Sequence, residues 1–304
     1  MTSVYEVWEA VASRNEPCVM ATIIQTVGSS YQKEGAVMAM WEDGARLGML
    51  SAGCIEEDLL CRAKELQAGG WLICEYDTSD EQDFLWTVGC NGQIRVLLEQ
   101  VHTQCLEQLN AVVKEFQKGY GVRVIKDLSN NHAYFISDSG QAFGNLPNKH
   151  GDIYEQYIPP KPRLYIFGAG EDAKPLVCLA KTVGFSVTVC DWREQWCTQL
   201  RFPEADACII GFPKEIVPVL SLASNDFVVI MTHHFQRDQE LWELLNKQSL
   251  RYLGILGARQ RTQRLCGGTI PDNVFAPVGL PIGARGPNEI AVSIVAEMIQ
   301  VLRT

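Results

Sequence analysis

Hydrophobic positions change their spacing about halfway along the chain. In the first half, Ser3 and Glu6 fit a capping box, and Val4, Val7, Trp8 and Val11 follow at helical spacing, which predicts an N-terminal helix. Cys18–Thr26 is an apolar-rich run of strand length. Ala36–Trp41 and Arg46–Leu50 flank Glu42-Asp43-Gly44, a hairpin signal. A helix is predicted from about Ile55, with Gly69-Gly70 as its C-cap. Strands at Trp71–Tyr76 and Gln93–Val101, a helix from His102 to Lys118, and a β pair around Val122–Ile125 and Ala133–Ile136 complete a mixed α/β half.

Ile158-Pro159-Pro160-Lys161-Pro162 then interrupts the pattern, because three prolines in so short a run disfavour helix and sheet alike. Residues 1–157 are expected to form one domain and residues 163–304 another. After the break, short apolar strands alternate with helices: Arg163–Phe167, Asp172–Val183, Ser186–Cys190, Ala207–Gly211, Phe227–Met231, Gln239–Lys247 and Tyr252–Leu256. That rhythm predicts a parallel sheet covered on both faces. Pro287–Leu302 reads as a closing helix with proline near its start. The expected class is α/β, a Rossmann-like parallel-sheet domain preceded by a smaller mixed α/β domain.

Composition narrows the function. At 304 residues the chain is long enough for two cores, and 47% hydrophobic with 20% charged residues is ordinary for a globular protein. A formal charge of −10 and the lack of any Lys/Arg run exclude a general grip on nucleic acid. No apolar run reaches the roughly 18 residues of a membrane helix. The N-terminus lacks a secretion pattern, so the expectation is a cytoplasmic protein that does not engage membranes. The 11 cysteines are odd in number and form no Cys-x-x-Cys pair. That is neither a disulfide framework nor a zinc ribbon, and small buried hydrophobes are the plain reading for most of them.

Candidate chemistry collects at glycine turns. Gly168-Ala169-Gly170-Glu171-Asp172-Ala173 is a G-x-G-x-x-A turn between an apolar strand and a helix, the setting in which such turns cradle dinucleotides. Asp191 ends the next strand roughly 20 residues on, where an acid would hold a ribose hydroxyl. Glu171 sets a negative charge where a pyrophosphate would sit, and Arg193 is placed to offset it or to take a phosphate. His233-His234 follow the carboxyl end of a strand. One of the two is expected to face the crevice as a polar pocket residue, oriented by Asp238, rather than as a zinc ligand. Arg259 and Arg261 suit a phosphate or an acidic partner surface, or a solvated helix start. Arg285 is read as an anion contact and Glu289 as a capping residue of the last helix. In the first half, Gly28-Ser29-Ser30 either form a phosphate nest or an ordinary turn, with Lys33 nearby. Gly53-Cys54 opens a helix, where the dipole stabilises a thiolate while Glu56 and Glu57 oppose it. A small buried residue is the alternative for Cys54.

Gly28-Ser-Ser, Gly35-Ala, Asp43-Gly44 and Gly53-Cys54-Ile-Glu56 resemble the N-terminal signature of the XdhC/CoxI family. The second half agrees in order and spacing through Gly168-Ala-Gly170, Asp191-Trp-Arg193, Met231-Thr-His233-His, Gly254-Ile-Leu-Gly257-Ala-Arg259 and Gly283-Ala-Arg285-Gly-Pro287-Asn-Glu289. Only about His102 to Tyr157 carries no matching motif. The resemblance implies an accessory protein that binds molybdenum cofactor (molybdopterin), supports its sulfuration and delivers it to a xanthine dehydrogenase-type molybdenum hydroxylase, with a cysteine desulfurase as a further partner. It also implies cofactor contacts at Gly28, Ser29, Ser30, Gly53, Cys54, Gly168, Gly170, Asp191, Arg193, His233, Arg259 and Arg285, with Cys54 at the metal. Ala52, Glu171, Ala258 and Pro281 depart from the family pattern inside these sites. No acid–base pair is visible in the sequence, so a non-catalytic chaperone is expected. The alternative is an NAD(P)-dependent oxidoreductase using Gly168, Gly170, Ala173 and Asp191, with His233 facing the ring; a third is a structural adaptor. A homodimer is the default assembly for a chain of this kind.

Overall fold

The computed structural model describes residues 3–51, 53, 55–66, 69–77, 92–147 and 151–303. They belong to two compact units, Met1–Lys161 and Pro162–Thr304.

In the first unit, α1 (Val4–Arg14) begins at its capping box: the Ser3 hydroxyl accepts the Glu6 N–H, and the Ser3 N–H donates to the Glu6 carboxylate at 2.7 Å. Strands β1 (Cys18–Gly28), β2 (Val37–Trp41), β3 (Arg46–Gly48), β4 (Trp71–Asp77) and β5 (Gly92–Val101) form an antiparallel sheet in the order β3-β2-β1-β5-β4. Both of its faces are covered. Met20, Ala39 and Trp41 pack with α1 and α3 (Thr103–Gln117), whereas Ala21, Ile23, Met38 and Met40 pack with Leu59 of α2 (Glu56–Glu65). Two-sided burial is why β2 is apolar at every position instead of alternating.

Strands β6 (Val122–Asp127), β7 (His132–Ser137), β8 (Ala142–Gly144) and β9 (Ile153–Ile158) make a second antiparallel sheet, ordered β8-β7-β6-β9. The sequence predicted only the β6–β7 pair. β9 is an edge strand with alternating exposure that runs up to the proline segment, and its short pattern was absorbed by that signal. The predicted C-cap of α2 is also corrected. The helix stops at Glu65 because Leu66 turns extended, and its buried face comprises only Glu56 and Leu59.

Glu115, in the last turn of α3, is a buried acid. It accepts hydrogen bonds from Lys118 at 2.7 Å, Ser139 at 2.6 Å and Ser137 at 2.7 Å, and so ties the β7–β8 turn to the helix. Lys118 first, then the two hydroxyls, bring its pKa down to about 2.

In the second unit, β10 (Arg163–Phe167), β11 (Ser186–Asp191), β12 (Ala207–Ile210), β13 (Phe227–Ile230), β14 (Tyr252–Ile255) and β15 (Val274–Phe275) lie parallel in the order β12-β11-β10-β13-β14-β15. Alternate strand residues serve opposite faces. Leu164, Ile166, Val187 and Val229 pack with α4 (Ala173–Thr182) and α8 (Gly286–Arg303). Tyr165, Phe167, Val228 and Ile230 pack with α6 (Phe235–Leu245) and α7 (Arg259–Leu265). This is the doubly wound Rossmann-like arrangement, and its winding reverses between β10 and β13. There the chain leaves β10 at Gly168 with φ of +122°. A Cβ on Gly168 would lie 2.4 Å from the Met231 carbonyl oxygen and 2.7 Å from its carbon, so only glycine fits. Among the described residues, no helix is long and apolar enough to cross a membrane.

Gly168→Ala should therefore destabilise the protein by about 1–3 kcal/mol, read as a lower urea midpoint; an unchanged midpoint would refute the close approach. Glu115 contributes in a pH-dependent way. Its folded pKa lies below its ordinary value, so its stabilisation is complete above about pH 4.5 and fades as pH falls toward 2. In urea titrations across that window, the stability advantage of wild type over Glu115→Gln should shrink with falling pH.

Candidate functional site

The carboxyl ends of parallel strands are where open α/β sheets collect ligands. Around the β10–β13 reversal, the second unit places Gly168–Asp172, Asp191–Arg193 and Thr232–His234. The glycine turn is as the sequence predicted, but the chemistry around it is different.

Asp191 does not present a carboxylate for a ribose. Its side chain is fully buried and accepts the Ala169 N–H at 2.7 Å, the Arg193 N–H at 2.8 Å, and the Arg193 guanidinium at 2.7 and 2.9 Å. Burial acts to raise its pKa, but the bonds from Arg193 and the Ala169 N–H outweigh it and leave the group below its ordinary value. Asp191 is thus the ionised clasp of the glycine turn. Arg193, proposed as a phosphate contact, is engaged by that clasp and packed against the rings of Trp192 and Trp196, 4.8 and 4.6 Å from their centroids.

The stacking continues on both sides. Arg201 lies over Trp196 at 4.7 Å, and Arg237 lies over Phe212 at 4.7 Å and near Trp192 at 5.9 Å. Each arginine also has a carboxylate: Arg201 pairs with Glu171 and Arg237 with Glu240, both at 2.6 Å. Glu171, expected to repel an anion, is further paired with Lys174 at 2.8 Å, and these two cations pull its pKa below the ordinary value. Its charge is balanced.

His233 faces the turn, but Asp238 does not orient it. Asp238 accepts a short hydrogen bond from the Thr232 hydroxyl and pairs with Arg261 at 2.6 Å. The partner of His233 is Asp172, with Nε2 2.6 Å from the carboxylate. His233 adopts a left-handed backbone, φ of +57°, which is uncommon for a non-glycine residue. The other Asp172 oxygen lies against the Gly170 Cα, 2.5 Å from where a Cβ would stand. A protein carboxylate therefore occupies the anion-favouring start of α4. No sequence signal marked the pair, since an aspartate before a helix reads as an N-cap. His234 instead stands at the N-cap position of α6 without a side-chain capping bond, and packs edge-on against Trp192.

Arg259 opens α7 and is exposed. Arg285 is exposed too, and its N–H donates to Glu289 at 2.6 Å, in keeping with a capping glutamate. Neither guanidinium has an ion-pair partner among the described residues.

In the first unit, the antiparallel register brings the end of β1, the start of β2, the end of β3 and the start of β5 to one end of the sheet. Gly28 ends β1, Ser29, Ser30 and Lys33 follow in the loop leaving it, and Gly53 lies in the loop after β3. Gly28 has φ of +80°, and its strand pairs with Gly92. The Ser30 hydroxyl donates to the Gln32 carbonyl at 2.6 Å; Ser29 and Lys33 are exposed. Glu56 closes the second loop. Its buried carboxylate accepts the N–H groups of Leu50 and Ser51 at 3.1 and 2.7 Å and a short bond from the Ser51 hydroxyl. Burial raises the pKa of Glu56, yet the Ser51 bonds prevail and keep it below the ordinary value. Glu57, in contrast, pairs with Arg46 at 3.0 Å on the surface. Cys54 and Ala52 lie outside the described residues. Among the described residues, no group of three or more His, Cys, Asp or Glu side chains is placed to hold a metal ion.

These two loop-bearing edges coincide with the segments shared with known proteins. The XdhC and CoxI family profile matches residues 11–77, and the XdhC Rossmann domain profile matches residues 164–298. A Bacillus subtilis protein whose name makes it a probable xanthine dehydrogenase subunit is 40% identical, across 99% of this chain and 98% of its own length. A crystal structure from Bacillus halodurans, described as a xanthine dehydrogenase, is 41% identical with a TM-score of 0.91, covering 98% of this chain and 95% of that one. The Escherichia coli molybdenum cofactor insertion chaperone PaoD is a more distant relative, 23% identical over 93% of this chain and 83% of its own. With both profile segments in place and a relative matched from end to end, the chain belongs to the XdhC and CoxI family.

Proposed function

We propose that the protein is a xanthine dehydrogenase accessory protein that binds molybdenum cofactor, supports its sulfuration and delivers it to a molybdenum hydroxylase. The observation that carries this reading is the end-to-end match to a protein named for xanthine dehydrogenase, beside a distant relative named as a cofactor insertion chaperone. A cysteine desulfurase would supply the sulfur.

The residues fit such a cargo in part. The sheet end with Gly28, Ser29 and Gly53 offers exposed backbone, a hydroxyl and the Lys33 cation to an anionic, hydrogen-bonding ligand. Cys54 is assigned the metal contact. Arg259 and Arg285 are exposed cations suited to a phosphate or to an acidic patch on the recipient enzyme. The nicotinamide alternative has less to support it, because Asp191 is engaged in the turn and Asp172 brings a carboxylate to the place of a pyrophosphate. The Asp172–His233 pair forms a polar clamp over the glycine turn, an arrangement that suits holding a bound group at this edge.

The protein purified from cells making molybdenum cofactor should carry molybdenum and pterin, measured by metal analysis and pterin fluorescence. Cys54→Ser should lose most of the molybdenum and retain pterin. Neither component above background in wild type would overturn the assignment, whereas unchanged molybdenum in Cys54→Ser would remove only the role of that thiol. Glu56→Ala should strand buried Leu50 and Ser51 N–H groups, lower stability by about 1–3 kcal/mol and reduce cofactor retention below the unfolding range. Full retention with an unchanged thermal midpoint would show that the Glu56 tie does not shape the loop.

A further inference from the structure

Charge runs against the average of the chain where α6 meets α7. From Leu256 to Asn288 there are four arginines, no lysine and one acid, Asp272, in a protein whose formal charge is −10. Three of the arginines, Arg259, Arg261 and Arg264, fall within the seven residues of α7, which contains no acid. Arg261 is satisfied internally, paired with the buried Asp238 at 2.6 Å. Arg264 is exposed and has no ion-pair partner among the described residues. The first two acids of α6 cannot serve it, since Asp238 is held by Arg261 and Glu240 by Arg237.

An aromatic ring stands at the same corner. Phe235 opens α6, and the guanidinium groups of Arg261 and Arg264 lie 5.6 and 5.8 Å from its centroid. The ring is still 40% exposed. A guanidinium resting on a ring keeps N–H donors for a carboxylate, so the corner offers an apolar face and a fork of donors together. Arginine and aromatic side chains without lysine are the composition of contact surfaces, whereas merely solvated faces favour lysine. A free phosphate would neutralise the cations but leave the Phe235 ring in water. A protein segment that sets carboxylates beside an apolar side chain would meet both needs.

We infer that Phe235 and Arg264 centre a docking surface for an acidic protein segment, with Arg259 adding charge from the start of α7. The inference rests on the delivery reading, in which that segment belongs to the recipient hydroxylase.

The test is biolayer interferometry of the cofactor-loaded full chain against the apo form of its molybdenum hydroxylase. Wild type, Arg264→Gln, Phe235→Ala and Lys114→Gln are compared, the last making the same charge change on α3 of the first unit. Molybdenum and pterin are measured in each preparation. Wild type should bind saturably, and its Kd should rise with added salt. Arg264→Gln and Phe235→Ala should each weaken binding roughly tenfold, with cofactor content unchanged and Lys114→Gln like wild type. Thermal midpoints are recorded alongside, and if Phe235→Ala melts early, Arg264→Gln decides. Unchanged affinity in the deciding variants, insensitivity to salt, or an equal loss in Lys114→Gln would overturn the docking surface and leave the delivery reading standing. Loss of cofactor together with binding would also overturn it, by assigning the corner to the cargo. A wild type that carries cofactor but does not bind the hydroxylase would overturn the inference alone. A wild type with neither would overturn the delivery reading and the inference with it.

Discussion

Where the parallel sheet reverses its winding, the backbone of Gly168 lies so close to Met231 that no side chain fits between them. This contact fixes the edge of the second unit at the carboxyl ends of its strands. It brings the turn after β10 against the turn after β13, which is what lets Asp172 and His233 meet at 2.6 Å across the reversal. Asp191 holds the same turn from its other side, through the Ala169 N–H. A glycine, a buried carboxylate and a strained histidine thus form one assembly, and displacing the first would misplace the other two.

Several acids in this protein work inward. Asp191 clasps a turn, Glu56 closes the loop before α2, Glu115 ties α3 to the β7–β8 turn, and Asp238 joins Thr232 to Arg261. Each is buried and met by hydrogen bonds or a cation, the condition under which an ionised carboxylate stabilises rather than disrupts a fold. The surplus negative charge of the chain is therefore a poor guide to what its candidate sites attract. At the rim of the second unit, Glu171 and Glu240 are matched by arginines, while the Arg259 and Arg285 guanidinium groups have no ion-pair partner among the described residues.

Sequence patterning was a good guide where burial dictates it. The strands of the parallel sheet are covered on both faces and read as apolar runs, and the glycine turn stood in its strand–turn–helix setting. It was a poor guide to side-chain direction. An aspartate at the end of β11 has the same signature whether it faces a ribose or folds back onto its own turn, and only the position of Ala169 decides. Asp172 and His233 are far apart in sequence, and each alone looks like a cap or a surface residue. β9 escaped notice because an edge strand beside prolines has little apolar character, and α2 ended early because a helix with one anchored turn needs no glycine to stop it.

Phe212, Arg237, Trp192, Arg193, Trp196 and Arg201 alternate ring and guanidinium along the edge beyond β11 and β12. Each laid over at least one ring and held at its tip by a carboxylate, these long side chains have already given up much of the rotamer freedom that surface arginines normally keep, on the order of 2 kcal/mol each. A molecule docking on this edge would meet a rigid surface, with little further entropy to lose on contact. Replacing Arg193 by lysine would keep the net charge but lose both the flat group packed on two indoles and the forked bond to Asp191, so the rim and the glycine turn would loosen together.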